Sequence, residues 1–439
     1  MRARGVVAVA AVLSVAVAGD VLALDRGSPA LARFPASANL DRPSEPFYID
    51  LVGMDLRASP PTRDPRTPGY PPARELADGA LAPSDRGGNF ILGPSHAPAA
   101  EARERPGVAK GRLVSFTLAS ADSVIYRPGV VRAEASSHAA LATAPTMPGD
   151  PSNLVVASSR PGSWTRKVTV YVPPGYTAGV KAPVMVVGDG EAAFPDGRPL
   201  STILDNLIAA RRIPPVVAVL IGSGGQDQQG SERGREYDTV SGAYAQWVET
   251  EVLPKAEQEA KVSLTHDPDG RATMGFSSSG AAAFTMAWFR PDLYRRVLAY
   301  SPTFVNQQWP HDPALPGGAW EYHSAWTGPK SPTLAARGFA QPVTSDAPTG
   351  SPLILEADRK PIRFWFLAGD RDMFYPSPQM ADGMHDWVLA NERMASVLAA
   401  KQYDYQFVFA RNADHVDLPT LLQTLPEALE WLWRGYRAP

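Results

Sequence analysis

The stretch RATMGFSSSGAAAFTMAWF, residues 271–289, decides the fold of this chain. It predicts a short apolar strand, a turn of small residues and an alanine-rich helix. A serine on such a turn stands exposed beside backbone N–H groups, which is the arrangement of a nucleophile elbow. In the G-x-S-x-G frame Ser277 is the nucleophile, with Gly275 two residues before it. Ser279 replaces the second glycine of the pattern, so Ser278, Ser279 and a plain helix cap are the alternatives.

A carboxylate and a histidine downstream of the serine complete the predicted triad. IRFWFLAGDRDMF, residues 362–374, is an apolar strand that ends in two aspartates. We assign Asp372 as the acid and keep Asp370 as the alternative, since either carboxylate can instead pair with a surface cation. A second apolar strand leads to His415, the predicted base, in the loop before the final helix. His385 precedes an amphipathic helix and is interpreted as a helix-start residue.

Acyl chemistry on a serine also needs two backbone N–H groups that bind the oxyanion. Ser278, the residue after the nucleophile, is the predicted first donor. The second is expected in MVVGDGEAAF, residues 185–194, where Glu191 N–H is the first candidate and Gly190 N–H the next. An ordinary strand-ending turn is the alternative. Asp189 precedes the nucleophile in the chain and is assigned a loop-shaping role.

Strand and helix patterns alternate around these motifs. PPVVAVLIGSGG (residues 214–225) is typical of a buried parallel strand, and helical spacing recurs in residues 200–213 and 241–260. This alternation predicts an α/β fold with a mostly parallel sheet flanked by helices. The carboxyl edge of such a sheet carries the functional site, which is where the elbow falls.

The beginning of the chain predicts a secretory signal peptide over residues 1–23. Two arginines precede an apolar run, and small residues allow cleavage after Ala18 or Ala23. The run is shorter than the roughly 20 residues of a spanning helix, so no stable membrane anchor is expected after cleavage. The predicted location is therefore the periplasm or the extracellular space.

A proline-rich extension is predicted for residues 24–106, before a catalytic domain at 107–439. Its prolines break helices and central strands, which indicates a wrapping arm or linker. Two apolar islands, FYIDLVGMDL (47–56) and GGNFILGP (87–94), are expected to dock. Docking near the site and packing against the back of the core are the two alternatives.

Composition excludes several other classes of protein. The 439 residues are 44% hydrophobic, enough for a full α/β core, and the formal net charge is −3. That charge gives no general attraction to nucleic acid. Cysteine is absent, which excludes disulfides, thiolate metal sites and a cysteine nucleophile. The histidine spacing matches no metal motif, so we predict neither a metal nor an organic cofactor.

A loop-rich segment, residues 304–360, is expected to form a lip on the substrate side. Trp309, Trp320 and Tyr322 can stack there on an aromatic or sugar-like acyl group, and anchoring of the loop on the core is the alternative. His323 and Trp326 belong to the same set.

Extended stretches resemble the esterase family of α/β-hydrolases that includes the enterochelin (ferric enterobactin) esterases. The resemblance covers roughly residues 110–436 and includes the elbow, KVTVYVPPGY (167–176), MVVGDGEAAF and the R-x-x-E-Y block that begins at Arg233. Within that block, Arg233 and Glu236 can contact substrate or form a buried ion pair.

Members of that family hydrolyse siderophore trilactones, feruloyl and acetyl sugar esters and small thioesters, and some transfer acyl groups to sugars. The resemblance therefore implies a serine esterase acting on a small-molecule ester, which the leader pattern predicts to be exported. An acyltransferase on the same triad and a non-catalytic exported binding protein of the same fold are the alternatives. The individual ester and the oligomeric state do not follow from the resemblance.

Overall fold

The computed structural model describes residues 63–67, 70–132, 159–225, 230–307, 309, 317–324, 352–373 and 386–437. The predicted signal peptide, the island FYIDLVGMDL, Trp326 and His385 lie outside the described residues.

The main feature of the described chain is a ten-stranded sheet. The strands, in chain order, are β1 (Arg74–Glu75), β2 (Gly88–Leu92), β3 (Arg112–Ala119), β4 (Val130–Arg132), β5 (Ser159–Pro161), β6 (Thr165–Val172), β7 (Lys181–Ala182), β8 (Val184–Gly188), β9 (Val217–Ile221), β10 (Ser263–Leu264), β11 (Arg271–Phe276), β12 (Arg296–Tyr300), β13 (Arg363–Arg371) and β14 (Asp404–Asp414). The order across the main sheet is β1-β2-β14-β13-β12-β11-β8-β9-β6-β3, and the short strands β4 with β5 and β7 with β10 form two separate pairs.

The sheet is parallel except at one side. Every pair from β1 to β9 in that order is parallel, whereas β6 runs antiparallel to both β9 and β3. This confirms the predicted α/β-hydrolase fold with a mostly parallel sheet. The register sets Tyr300 of β12 between Phe276 of β11 and Leu367 of β13. The segments that follow these three strands therefore emerge side by side at one edge.

Helices cover both faces of the sheet. Their bounds are α1 (Gly190–Ala193), α2 (Leu200–Ala209), α3 (Glu232–Tyr237), α4 (Ala243–Trp247), α5 (Leu253–Ala260), α6 (Ser278–Phe289), α7 (Leu353–Glu356), α8 (Trp387–Ala400) and α9 (Leu418–Trp433). Helix α6, which follows the elbow, is buried along nearly its whole length because its alanines let the sheet and neighbouring helices approach closely. Among the described helices, none has the length and apolar character that a membrane span requires.

The proline-rich extension contributes strands to the main sheet. Strand β2 pairs in parallel with β14, with Phe90 beside Val408, and its residues Phe90, Ile91 and Leu92 are at most 4% exposed. The island GGNFILGP thus docks by adding a strand, because three consecutive apolar residues can cover both faces of a sheet. The boundary near residue 107 stays a prediction, and strands from both sides of it belong to one sheet.

A buried ion pair fastens the start of the described chain to α8. The Nε of Arg63 donates to Oε1 of Glu392 at 2.5 Å, and both side chains are at most 1% exposed. The guanidinium also donates to the carbonyl oxygens of Asp64 and Pro71. Burial raises the pKa of Glu392 to about 8, and the charge of Arg63 acts in the opposite direction. Arg63 is therefore the group that favours the ionised Glu392 carboxylate inside the protein.

Replacing Arg63 by methionine is expected to lower the free energy of unfolding by roughly 2–3 kcal/mol, since charge-assisted hydrogen bonds between buried groups are lost. Urea denaturation of both proteins measures the difference. Arg86→Met is the matched control: its partner is Asp85, and the two side chains are 58% and 68% exposed. An exposed pair contributes about 0–1 kcal/mol. Equal losses for the two variants would contradict the role assigned to Arg63.

Candidate active site

The turn between β11 and α6 holds Ser277 in a strained conformation. Its φ is 54° and its ψ is −122°, a region that non-glycine residues rarely occupy. The Ser277 N–H donates to the Tyr300 carbonyl oxygen at 3.0 Å, which ties the turn to the neighbouring strand. Gly275 is required by the tightness of this turn, because a Cβ there would lie 2.1 Å from the carbonyl oxygen of Ser279. The local geometry is that of a nucleophile elbow.

The three serines of the turn have different environments. Ser277 is half-buried, whereas Ser278 and Ser279 are at most 1% exposed. The Ser279 hydroxyl donates to the Phe276 carbonyl oxygen and accepts from the Phe276 N–H, both at 2.8 Å. This local pairing explains how serine takes the place of the second glycine. Only Ser277 of the three presents a hydroxyl to solvent, which favours it as the nucleophile.

The structure brings the predicted acid and base together. The His415 Nδ1 lies 2.5 Å from Oδ1 of Asp372, and the Asp372 side chain is fully buried. Because a carboxylate accepts, Nδ1 is the protonated nitrogen, and Nε2 is then free to accept a proton. The same Oδ1 accepts from the Met373 N–H at 2.7 Å. Asp370, the alternative acid, instead accepts from the Ala413 N–H at 3.2 Å and so shapes the turn before the histidine.

Two features of the strand ends position this pair. The β13–β14 register shifts between Gly369 and Arg371, and a Cβ on Gly369 would lie 2.1 Å from the Ala413 carbonyl oxygen. Glycine therefore permits the close approach that sets Asp372 beside His415. The His415 imidazole also packs edge to face against the ring of Trp387, with the ring centroids 5.7 Å apart.

The candidate oxyanion donors lie at the starts of two helices. At α1, the N–H groups of Ala192 and Ala193 both donate to the Asp189 carbonyl oxygen, so those of Gly190 and Glu191 precede the helical bonds. Ser278 N–H stands at the same kind of position at the start of α6. Because α1 and α6 follow the adjacent strands β8 and β11, both donors lie at the same edge of the sheet. Their roles remain predictions.

A buried ion pair fixes the loop that carries Gly190 and Glu191. Asp189 has a φ of 52°, and its carboxylate accepts from Arg233, with Nη2 at 2.7 Å and Nε at 3.2 Å from Oδ2. The Asp189 N–H donates to the Tyr237 hydroxyl at 3.3 Å. These contacts fit the loop-shaping role predicted for Asp189. Glu236, the glutamate of the R-x-x-E-Y block, pairs with Arg166. Arg233 and Glu236 therefore both form buried ion pairs, which was the alternative to substrate contact.

Two of the predicted substrate-binding rings lie in the core. Trp320 is 3% exposed and Tyr322 is fully buried, with its ring 5.0 Å from that of Phe284. The Tyr322 hydroxyl donates to Thr285 Oγ1 at 3.0 Å. The stacking role predicted for Trp320 and Tyr322 is therefore corrected: these rings anchor the segment on the core. Trp309 is half-buried, and its role stays a prediction.

His323 is buried beside Trp320 and also anchors this segment on the core. Its Nε2 donates to the Phe304 carbonyl oxygen at 2.7 Å, and burial lowers its pKa to about 3. The imidazole is thus neutral and structural. Within the described ranges, no three His, Asp or Glu side chains form a group that could hold a metal ion.

Three residues at the site were not predicted from the sequence: Ser301, Thr303 and Trp387. Thr303 Oγ1 lies 3.2 Å from Ser277 Oγ, and Ser301 Oγ accepts from the backbone N–H that follows His415. The sequence did contain a signal for Ser301 and Thr303. The segment SPT (301–303) directly follows a strand pattern, and parallel strands end at the same edge of a sheet. Trp387 had no comparable signal, since its contact depends on the packing of a helix.

Comparison with solved structures finds matches at low identity. An enterobactin esterase from Shigella flexneri is 19% identical, with a TM-score of 0.41, over 62% of this chain and 56% of that one. This chain therefore spans little more than half of that protein's length. A ferulic acid esterase from Anaeromyces mucronatus is 15% identical, with a TM-score of 0.44, over 77% of this chain and 96% of that one. No curated protein matches the chain.

A family profile gives a direct assignment. The family described as Putative esterase matches residues 158–415, more than half of the chain. The match includes the elbow, both candidate acids and the histidine. It confirms the family that the sequence predicted. The chain belongs to the Putative esterase family.

Proposed function

We propose that this protein hydrolyses a carboxylic ester through an acyl-enzyme on Ser277, with His415 as the general base and Asp372 as the residue that orients it. The observation that carries the proposal is the 2.5 Å contact between His415 Nδ1 and Asp372 Oδ1, at the sheet edge where the strained and half-buried Ser277 also lies. A buried carboxylate that fixes one nitrogen of an imidazole leaves the other for proton transfer.

The proposed reaction has two half-reactions. His415 Nε2 takes the proton of Ser277 Oγ while the Oγ–carbon bond forms, and the Asp372 carboxylate stabilises the resulting imidazolium. The N–H groups of Ser278 and Glu191 bind the oxyanion. His415 then gives the proton to the leaving alcohol as the ester C–O bond breaks. Water repeats the sequence on the acyl-enzyme and releases the acid and the free serine.

The proposed substrate is a small-molecule ester, and the proposed location is the periplasm or the extracellular space. The family supports the first, and the apolar leader pattern of residues 5–19 supports the second. The similar solved structures are described as enterobactin and ferulic acid esterases, so trilactones and feruloyl esters are the first compounds to test.

The full chain is expected to hydrolyse at least one ester in a screen of siderophore trilactones, feruloyl sugars and short acyl esters. A fluorophosphonate is expected to label Ser277, which peptide mass spectrometry locates. Repeating the active assay with an added alcohol distinguishes hydrolysis from acyl transfer. A folded protein that is inert on every ester and remains unlabelled would refute the proposal in favour of a binding protein.

A further inference from the structure

A short turn after β12, residues 301–303, contacts the proposed nucleophile Ser277 and the residue that follows the proposed base His415. On one side the Thr303 N–H donates to the Ser277 carbonyl oxygen at 3.0 Å. On the other side the Ser301 hydroxyl accepts from the Val416 N–H at 3.0 Å, one residue after His415. The turn itself is fixed by β13, because the Ser301 N–H donates to the Leu367 carbonyl oxygen at 2.7 Å. We call these three residues the β12 turn.

The Thr303 hydroxyl lies where it can orient the O–H bond of Ser277. Thr303 is 2% exposed, and its Oγ1 lies 3.2 Å from both Ser277 Oγ and Ser278 Oγ. The buried Ser278 hydroxyl donates to Thr303 Oγ1. A hydroxyl that accepts one bond still has its own proton to donate. Donation from Thr303 to Ser277 Oγ then leaves the Ser277 proton for the base.

The Ser301 hydroxyl is placed to hold the backbone of the base. Val416 has a φ of 50°, which is a genuine outlier for a branched side chain. Such strain persists only where surrounding contacts determine the conformation. The bond from the Val416 N–H to Ser301 Oγ is one such contact, and it acts on the residue directly after His415.

We propose that the β12 turn aligns the nucleophile with the base: the Thr303 hydroxyl orients the Ser277 hydroxyl, and the Ser301 hydroxyl fixes the position of His415. Thr303 acts on a reacting atom, whereas Ser301 is a positioning residue. The inference rests on the proposed function and specifies which side chains outside the triad prepare it for attack.

The rate of fluorophosphonate labelling tests alignment directly. In that reaction a bond forms between Ser277 Oγ and phosphorus, the P–F bond breaks, fluoride leaves, and His415 takes the serine proton. No deacylation is involved, so the second-order rate constant reports serine attack alone. Ester turnover then gives kcat and KM separately for the same proteins.

Thr303→Val keeps the shape of the side chain and removes its hydroxyl. We expect labelling and kcat to fall about 10- to 100-fold, the range that one hydrogen bond to a reacting group can supply, with KM within about twofold. Thr303→Ser keeps the hydroxyl and is expected to recover most of the activity. Thr169→Val is the matched control: Thr169 is 1% exposed on β6 and also shares a hydroxyl pair, at 2.8 Å from Ser115.

Ser301→Ala is expected to lower kcat about tenfold with little change in KM. Combined with Thr303→Val it should cost less than the product of the two effects, since each misaligns the same Ser277–His415 pair. Thermal melts of each variant separate loss of folded protein from loss of rate.

Labelling of Thr303→Val at the wild-type rate, or an equal loss in Thr169→Val, would overturn the role of Thr303. Unchanged kcat in folded Ser301→Ala would overturn that of Ser301. A wild-type protein that neither labels nor turns over any ester would overturn the proposed function, and this inference with it. The two failures are therefore distinguishable.

Discussion

Ser277→Ala is expected to reduce kcat a thousandfold or more while the protein stays folded. The substitution deletes the attacking oxygen, and losses of about this size or larger are typical of a triad nucleophile. Stability should change little, because the Ser277 side chain is half-buried and its hydroxyl approaches Thr303 at 3.2 Å without filling a core position. Steady-state kinetics on the best ester of the screen measures the loss, and circular dichroism checks the fold.

The neighbouring serines provide controls that separate chemistry from structure. Ser279→Ala removes both 2.8 Å bonds to Phe276 and is expected to weaken the turn, with a lowered melting temperature. It should nevertheless keep fluorophosphonate labelling at Ser277. If Ser277→Ala remained active while Ser278→Ala or Ser279→Ala was dead, the nucleophile would be one of those residues instead.

The parts of the site that the sequence predicted are those fixed by local pattern. The local pattern of a strand, a small-residue turn and a helix places Ser277 at the carboxyl end of β11. The parallel alternation then requires the later strands to end at the same edge, which is why the loop of His415 lies where it was expected. These predictions therefore depended on local sequence patterns and on the geometry of a parallel sheet.

The parts that failed depend on contacts between distant segments. Trp320 and Tyr322 have the same composition signal whether they face a substrate or the core, and only packing against residues such as Phe284 decides between them. Residues 88–92 were expected to dock, but with prolines around them the sequence alone did not show that they form a strand of the main sheet. A short strand that extends a sheet needs only a few apolar residues and a neighbour to pair with, here β14.

The choice between Asp370 and Asp372 shows most clearly what cannot be predicted from the sequence. Asp370 lies at the end of β13 and Asp372 directly follows that strand, and an ideal strand would direct both side chains to the same face. The register shift between Gly369 and Arg371 breaks that period. Asp372 then reaches His415, while Asp370 accepts from the Ala413 N–H. A bulge of this kind leaves no distinct mark in the sequence beyond the glycine itself.

Asp372→Asn is therefore expected to lower kcat about ten-thousandfold, and Asp370→Asn only a few-fold. An amide in place of the buried carboxylate no longer enforces the His415 tautomer with the proton on Nδ1, and it cannot stabilise the imidazolium. The amide introduced by Asp370→Asn would still offer an oxygen to the Ala413 N–H, so the turn before the histidine should persist. Both variants keep the size of the side chain, and kinetics at saturating ester compares them directly.

The rate of fluorophosphonate labelling gives an independent test of the same assignment. Labelling requires a base that takes the Ser277 proton, and it involves no deacylation. Asp372→Asn should therefore label far more slowly than the wild-type protein, whereas Asp370→Asn should label at nearly the wild-type rate. A large loss of both turnover and labelling in Asp370→Asn, with Asp372→Asn nearly unchanged, would assign the acid to Asp370 and make the 2.5 Å contact with His415 structural.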